Sequence, residues 1–408
     1  MLVQIFLLIV AIALLIPCAM LFFESLSAAL GAVLGEAIAR LAAQPKRAFS
    51  PSEDFSIAVL MPAHNEAAVI VETLVALSPQ LSPQDRLIVV ADNCTDETAQ
   101  LARKAGATVL ERRDDNRRGK GYALDCGLRF IMAAPPAAVV MIDADCQFRK
   151  GSVRQLASWA IAQQRPVQGV YLIDHPVNPG LKEAVSAFAF KVKNLVRPLG
   201  LAQVGLPCLL TGTGMAFPWA VIATVDLASG SIVEDMKLGF DLAIAGTPPA
   251  LCLSVTVVGP LPPGDAAAKV QRTRWEHGHL QLISHYCPRL FWQAVVQRRF
   301  DLFAIALDLI IPPLSLLVMI WLGVSLVMTL ACALTGVWLP ALICYGAGAA
   351  LFSAVVLAWA KFAQNDLSLK TLMRVPTYIL WKIPVYLKFV TKPQVEWVRT
   401  RRQVQRDK

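Results

Sequence analysis

The sequence predicts an α/β domain, a parallel sheet with covering helices, set between membrane-crossing helices. Three observations carry this. Apolar runs of strand length alternate with helical periodicity between residues 55 and 150. Residues 1–23 and Leu309–Ala360 carry no charge, and a crossing needs roughly 20 apolar residues. The 56% hydrophobic content of the 408 residues exceeds that of soluble domains.

The first apolar stretch is expected as a spanning helix near residues 3–23. It lacks the basic leading region of a cleaved secretory signal, and its apolar part is longer than a signal core. Phe55–Met61 reads as a strand ended by Pro62, and Ala67–Leu77 as a helix. Leu87–Ala91 follows as a strand, Asp92 to Thr95 as a turn, and Asp96–Ala105 as a helix with Asp96 the expected cap. Thr108–Glu111 is a third strand, Gly121–Met132 a helix and Ala138–Ile142 a fourth, wholly apolar strand. Glu234-Asp235 opens the amphipathic run Met236–Ala245 after a Gly230-Ser231 turn, and a helix carries Gln271 to Leu280. A helical pair near 303–331 and 338–360 is punctuated by Pro312-Pro313 and Pro340. The expected division is an N-terminal transmembrane helix and linker (1–40), a catalytic domain with interfacial helices (50–300), two transmembrane helices (301–360) and a basic interfacial or cytoplasmic tail (361–408).

Charge sets the orientation. Arg40, Lys46 and Arg47 follow the first helix, and a run of lysines and arginines follows Ala360. By the positive-inside rule both flanks are cytoplasmic, so residues 40–300 are expected on the side where nucleotide-sugars are made. The net charge of +9 points to anionic lipid rather than nucleic acid, because the basic residues gather beside membrane segments, where each is worth about 1 kcal/mol. Lys361–Lys392 mixes apolar residues with Tyr378, Trp381, Tyr386 and lysines, as a helix in the interface plane does. Lys191, Lys193 and Arg197 among Phe188 and Phe190 suggest the same. Nine cysteines without a CxxC pair imply neither a disulfide frame nor a zinc site.

In open sheets, ligands sit at the carboxyl ends of the strands. Those ends carry His64-Asn65-Glu66, Asp92-Asn93 and Asp143-Ala144-Asp145. Asp143 and Asp145 flank one alanine and, in extended backbone, project to one face, as a cation bridging phosphate oxygens requires; a capping turn before the helix near Gly151 is the plainer reading. Asp92 could accept bonds from a base or ribose, or serve only its turn. Lys120, in the basic loop Arg117 to Gly121, suits a diphosphate, as it would a solvated charge run. Glu234 and Asp235 at a helix start fit the dipole, and Asp235 is also the candidate base for an attacking hydroxyl. Arg274 can neutralise a leaving diphosphate and Trp275 can stack on a sugar, although both residue types also anchor at membrane interfaces. His277 and His279 lie about 200° apart on a helix, a poor metal pair. Thr211 to Gly214 permits a close backbone approach or a simple tight turn.

Taken in order, Met61 to Glu66, Asp92 to Asp96, Arg118 to Leu124, Asp143 to Asp145, Thr211 to Gly214, Glu234-Asp235 and Gln271 to Trp275 resemble the membrane-bound glycosyltransferase family 2, which includes cellulose, chitin, hyaluronan and poly-N-acetylglucosamine synthases. The resemblance spans roughly residues 55–300. It implies a GT-A fold (a Rossmann-like mixed sheet with helices on both faces), a UDP-sugar donor, Mg²⁺ or Mn²⁺, and inversion to a β linkage. Glu66 and Asp92 would then contact the nucleoside, Lys120 and Asp143 the diphosphate, and Asp145, with Asp143, the metal. Asp235, beside Glu234, would be the base. Gln271, Arg274 and Trp275 would close the diphosphate and acceptor site, with Thr213 and Gly214 on the acceptor side. Asp125 stands where the family usually has asparagine. Three crossings make a poor one-chain polysaccharide channel, so the expected activity is transfer to a lipid-linked or membrane-held glycan for surface polysaccharide assembly, in a bacterial inner membrane and with other assembly proteins as partners. A processive β-glycan synthase and a non-catalytic membrane scaffold are the alternatives.

Overall fold

The computed structural model describes residues 2–33, 55–174, 179–228, 233–260 and 265–374, together with 378–379, 382–383 and 386. The Gly230-Ser231 turn and most of the expected interfacial stretch after residue 374 lie outside them. The chain forms two compact units. One holds Ala43–His175 and Pro207–Gly278; the other holds Met1–Ala42, Pro176–Leu206 and His279–Pro393.

The first unit is built on one eight-stranded sheet. Its strands are β1 (Ile57–Ala63), β2 (Arg86–Asp92), β3 (Thr108–Arg112), β4 (Ala138–Met141), β5 (Gln147–Lys150), β6 (Val167–Asp174), β7 (Met215–Pro218) and β8 (Ala250–Pro260), in the spatial order β3-β2-β1-β4-β7-β6-β8-β5. β1 to β4 are mutually parallel, as the alternation predicts. The other half is mixed: β7 runs antiparallel to β4 and β6, and β5 antiparallel to β8. Helices cover both faces, so β1 is apolar throughout. Its Ile57, Val59 and Met61 pack with Ile70, Leu74 and Leu156 on one side, while Ala58 and Leu60 meet Leu124, Leu128 and Leu238 on the other. β1 runs past Pro62 instead of ending before it. Leu60 and Pro62 face the same neighbour, β4, whose paired residues stop at Met141, so no ladder donor is needed at Pro62.

The second unit is helical. Its first helix, Leu2–Val33, continues ten residues beyond the expected end at 23 and carries Glu24 fully buried. The charge is tolerated because Arg197 Nε donates to Glu24 Oε2 at 3.1 Å and also pairs with Asp308. Arg197 is thus a 5% exposed core residue and not the interfacial cation expected of it. The helix expected over 303–331 is two, Phe300–Leu309 and Leu314–Thr335, because Pro312-Pro313 removes amide donors and disfavours helical backbone before it. Leu339–Phe362 follows. Among the described residues, three helices are long and apolar enough to cross a membrane: Leu2–Gly31, Leu314–Thr335 and Leu339–Phe362.

Candidate active site

The polar residues at the strand ends are held by crossed side-chain bonds, which is why the backbone there tolerates left-handed asparagines. Asn65, beyond β1, has φ of 56° and receives the Thr95 amide at 2.7 Å. Asn93, beyond β2, has φ of 50° and receives the Asp114 amide at 2.8 Å. The Glu66 amide donates to Thr98 Oγ1 at 2.8 Å, and Asp96 Oδ1 accepts from the Thr98 amide at 3.0 Å, although the cap position itself falls on Glu97 and not on Asp96 as expected, because the helix starts only at Thr98. Asp92 is 6% exposed. Its Oδ1 accepts from Arg112 Nη1 at 2.6 Å, so burial, which raises this carboxyl above its ordinary pKa, is opposed by the guanidinium.

Asp143-Ala144-Asp145 follows β4 and forms a turn, in which the Cys146 amide donates to Asp143 O at 3.1 Å, and not the extended segment anticipated. Its carboxylates still converge, because the turn brings one ligand atom from each of Asp143, Asp145 and Cys146 within 4.8 Å of the others. Nor does the motif cap the next helix. β5 intervenes, and Val153–Gln163 is capped by Ser152 Oγ.

Lys120 opens the helix Lys120–Ile131 and reaches across the strand ends. Its ammonium pairs with Asp143 Oδ1 and donates to Gly212 O at 2.7 Å. Gly212 has φ of +91°, and a Cβ there would lie 3.0 Å from Asp235 Oδ2 and 3.6 Å from Lys120 Nζ. The carboxylate, the ammonium and the glycine backbone therefore share one small volume, which a side chain would fill. Burial would depress the Lys120 ammonium, but Asp143, Glu234 and Asp235 outweigh it and hold the group above the ordinary lysine value. Burial also raises Asp143, with Lys120 opposing and Asp145 assisting. Glu234 is pushed up to about 7 by burial, against the pull of Lys120 and with the push of Asp235.

Two hard carboxylates, one of them paired with a lysine ammonium, fit Mg²⁺ or Mn²⁺. Asp145 and Asp143 are the oxygen donors that would hold the ion.

The helix Asp265–Val296 carries Gln271, Arg274 and Trp275 at spacings of three and four, hence on one face. Arg274 lies within electrostatic reach of Glu234. Its Nε is buried without a hydrogen-bond partner among the described residues. Trp275 and Gln271 are partly exposed, and His277 is buried. The geometry thus gathers Lys120, Asp143, Asp145, Gly212, Glu234, Asp235 and Arg274, while Glu66 and Asp92 sit at the neighbouring ends of β1 and β2. Thr213 is fully buried and its Oγ1 accepts the Asp143 amide at 3.0 Å.

Sequence reasoning missed three supporting groups. Arg112 ends β3 and neutralises Asp92. Gln168 is 2% exposed; its Nε2 donates to Thr213 O at 2.9 Å and its Oε1 accepts the Thr211 amide at 2.8 Å, fixing the glycine loop. Its signal was a lone amide inside the run Val167 to Val170. Cys146 is the third: all nine cysteines are free, and this one lies among the polar groups Asp143, Asp145 and Thr213.

The family model described as "Glycosyltransferase like family 2" matches residues 54–278, more than half of the chain. A 4,4'-diaponeurosporenoate glycosyltransferase of Staphylococcus aureus is 37% identical over 105 residues, 25% of this chain and 27% of that protein. An uncharacterized protein of Methanocaldococcus jannaschii is 33% identical over 100 residues, 24% of this chain and 40% of that one. The chain therefore matches less than half the length of either relative. A mannosyltransferase from Pyrobaculum calidifontis, solved in complex with GDP-Man and Mn²⁺, superposes with a TM-score of 0.51 at 17% identity, covering 92% of this chain and 100% of that one. At that identity the likeness is one of fold, a GT-A-like mixed sheet. With the family match spanning the sheet and its strand-end motifs, the chain belongs to glycosyltransferase family 2.

Proposed function

We propose that this enzyme transfers a sugar, with inversion, from a UDP-sugar to a lipid-linked or membrane-held glycan acceptor, at the cytoplasmic face of a bacterial inner membrane and in surface polysaccharide assembly. The observation that carries this is the meeting of Lys120, the Asp143-Asp145 turn and Asp235 around Gly212. Glu66 and Asp92 hold the nucleoside. Lys120 and Asp143 take the diphosphate, with Lys120 exchanging part of its carboxylate pairing for phosphate oxygens. Asp235 accepts the hydroxyl proton as the acceptor oxygen attacks the anomeric carbon. Arg274 neutralises charge gathering on the departing diphosphate, Gln271 closes over it, and Trp275 offers a face to the acceptor sugar. Thr213 and Gly214 shape the acceptor side of the loop. Asp145 and Asp143 would hold a divalent ion, whose contribution would be Lewis-acid stabilisation of the diphosphate.

Three apolar helices support the membrane-held acceptor, and the staphylococcal relative is named for a carboxylate acceptor rather than a polymer. The test is a panel of radiolabelled UDP-sugars with the purified protein in membranes, with and without chelator, followed by sizing of the product. A short, metal-dependent lipid-linked product is expected. A long polymer would replace the single-addition reading with a processive synthase, and no transfer from any UDP-sugar would sink the donor class.

A further inference from the structure

We propose that Cys146 and Tyr171 are positioning residues for the divalent ion, acting through Asp145. The inference rests on the metal reading above and concerns residues that the reaction itself does not use. Cys146 Sγ is fully buried and donates to Asp145 Oδ1 at 3.4 Å. The Tyr171 hydroxyl from β6 and the Thr213 hydroxyl stand beside the sulfur. Gly259 on β8 makes the room: a Cβ there would stand 2.8 Å from Tyr171 Oη and 3.1 Å from Cys146 Sγ. Thr213 completes the arrangement by receiving the Asp143 amide at 3.0 Å. One sulfur and one hydroxyl therefore fix both halves of the acidic turn, Asp145 by its carboxylate and Asp143 by its backbone.

The chemistry favours orientation over ligation. Mg²⁺ and Mn²⁺ prefer oxygen, and a thiol that donates to one carboxylate oxygen leaves the other for the ion. Groups that hold a ligand in this way typically change metal affinity about 10–100-fold when removed. Cys146→Val removes the donor at similar volume, Cys146→Ser retains a donor, and Tyr171→Phe deletes the far hydroxyl.

The experiment titrates Mn²⁺ into the full-length protein in detergent micelles with UDP present, reading free Mn²⁺ by its paramagnetic resonance signal. Cys146→Val and Tyr171→Phe are expected to weaken Mn²⁺ binding about 10-fold or more, with kcat at saturating Mn²⁺ nearly retained; Cys146→Ser is expected to restore most of the affinity. Metal-free melting curves check that each variant folds. Unchanged Mn²⁺ affinity in Cys146→Val, with the wild type binding normally, overturns the proposal. A thiolate charge-transfer band with Co²⁺ in the wild type that vanishes in Cys146→Ser also overturns it, because the sulfur is then itself a ligand. If the wild type binds no Mn²⁺, the metal reading falls and takes this inference with it.

Discussion

The Glu234 and Asp235 carboxylates stand side by side at a helix start, yet their surroundings assign them different work. Asp235 lies against Gly212 and Lys120, where a hydroxyl could deliver its proton. Replacing it with Asn should leave UDP binding intact and cut transfer by about 10²–10⁴; transfer at the wild-type rate would remove Asp235 from the chemistry. Glu234 is held up to about 7 chiefly by burial. A carboxyl whose folded pKa exceeds its unfolded value binds protons better when folded. Its stabilising contribution is therefore full below the ordinary glutamate value of 4.5 and lost as pH rises through about 7. Glu234→Gln should accordingly melt with the wild type near pH 4.5 and above it at pH 8, by about 2–4 °C per kcal/mol recovered. The residue as a whole is only partly buried, which keeps the gap at the small end. A gap that closes as pH rises would contradict the assignment.

At the scale of elements, glycine positions decide how closely helices approach. Gly200, on the helix Arg197–Gln203, touches the first helix so nearly that a Cβ would lie 2.0 Å from Glu24 O. That neighbour is backbone and cannot swing aside. Gly200→Ala should destabilise the helical unit by about 1–3 kcal/mol or more through overpacking, seen as a lower melting temperature in detergent, whereas Gly323→Ala, with open space around it, should not. Which elements were legible in the sequence follows from how local their signals are. β1, β2 and β4 read clearly because burial on both faces makes them continuous apolar runs. β6, β7 and β8 did not: β7 pairs antiparallel with β4 from more than seventy residues away, and β6 pairs with β8 about eighty residues away across a register shift. The site divides in the same way. Asp143, Asp145, Lys120 and Asp235 announce themselves by motif, while Arg112, Gln168 and the Cys146–Tyr171 pair matter only through contacts made between distant strands.

Across the whole chain, the sheet's sequence is interrupted by Pro176–Leu206, which belongs to the helical unit. Arg197 lies in that excursion and pairs with Glu24 from the first helix and Asp308 from the C-terminal part. One guanidinium thus joins three segments that are remote in sequence, all within the helical unit. Arg is suited to this because its planar fork presents several N–H donors in a fixed geometry, Nε to Glu24 and to Asp308 and Nη2 to Asp308. Desolvating three charged groups costs more than apolar packing would, so the cluster is better explained as fixing the register of the first helix than as adding stability. The two explanations separate by mutation. Arg197→Leu leaves two buried carboxylates unneutralised and should cost about 3–5 kcal/mol, lowering the melting temperature in detergent and exposing the unit to proteolysis. Replacing Glu24, Arg197 and Asp308 together by leucine should recover most of that loss. If the single variant melts with the wild type, the ion cluster does not hold the segments together; if the triple variant is as unstable as the single one, the charges contribute net stability and the register argument fails.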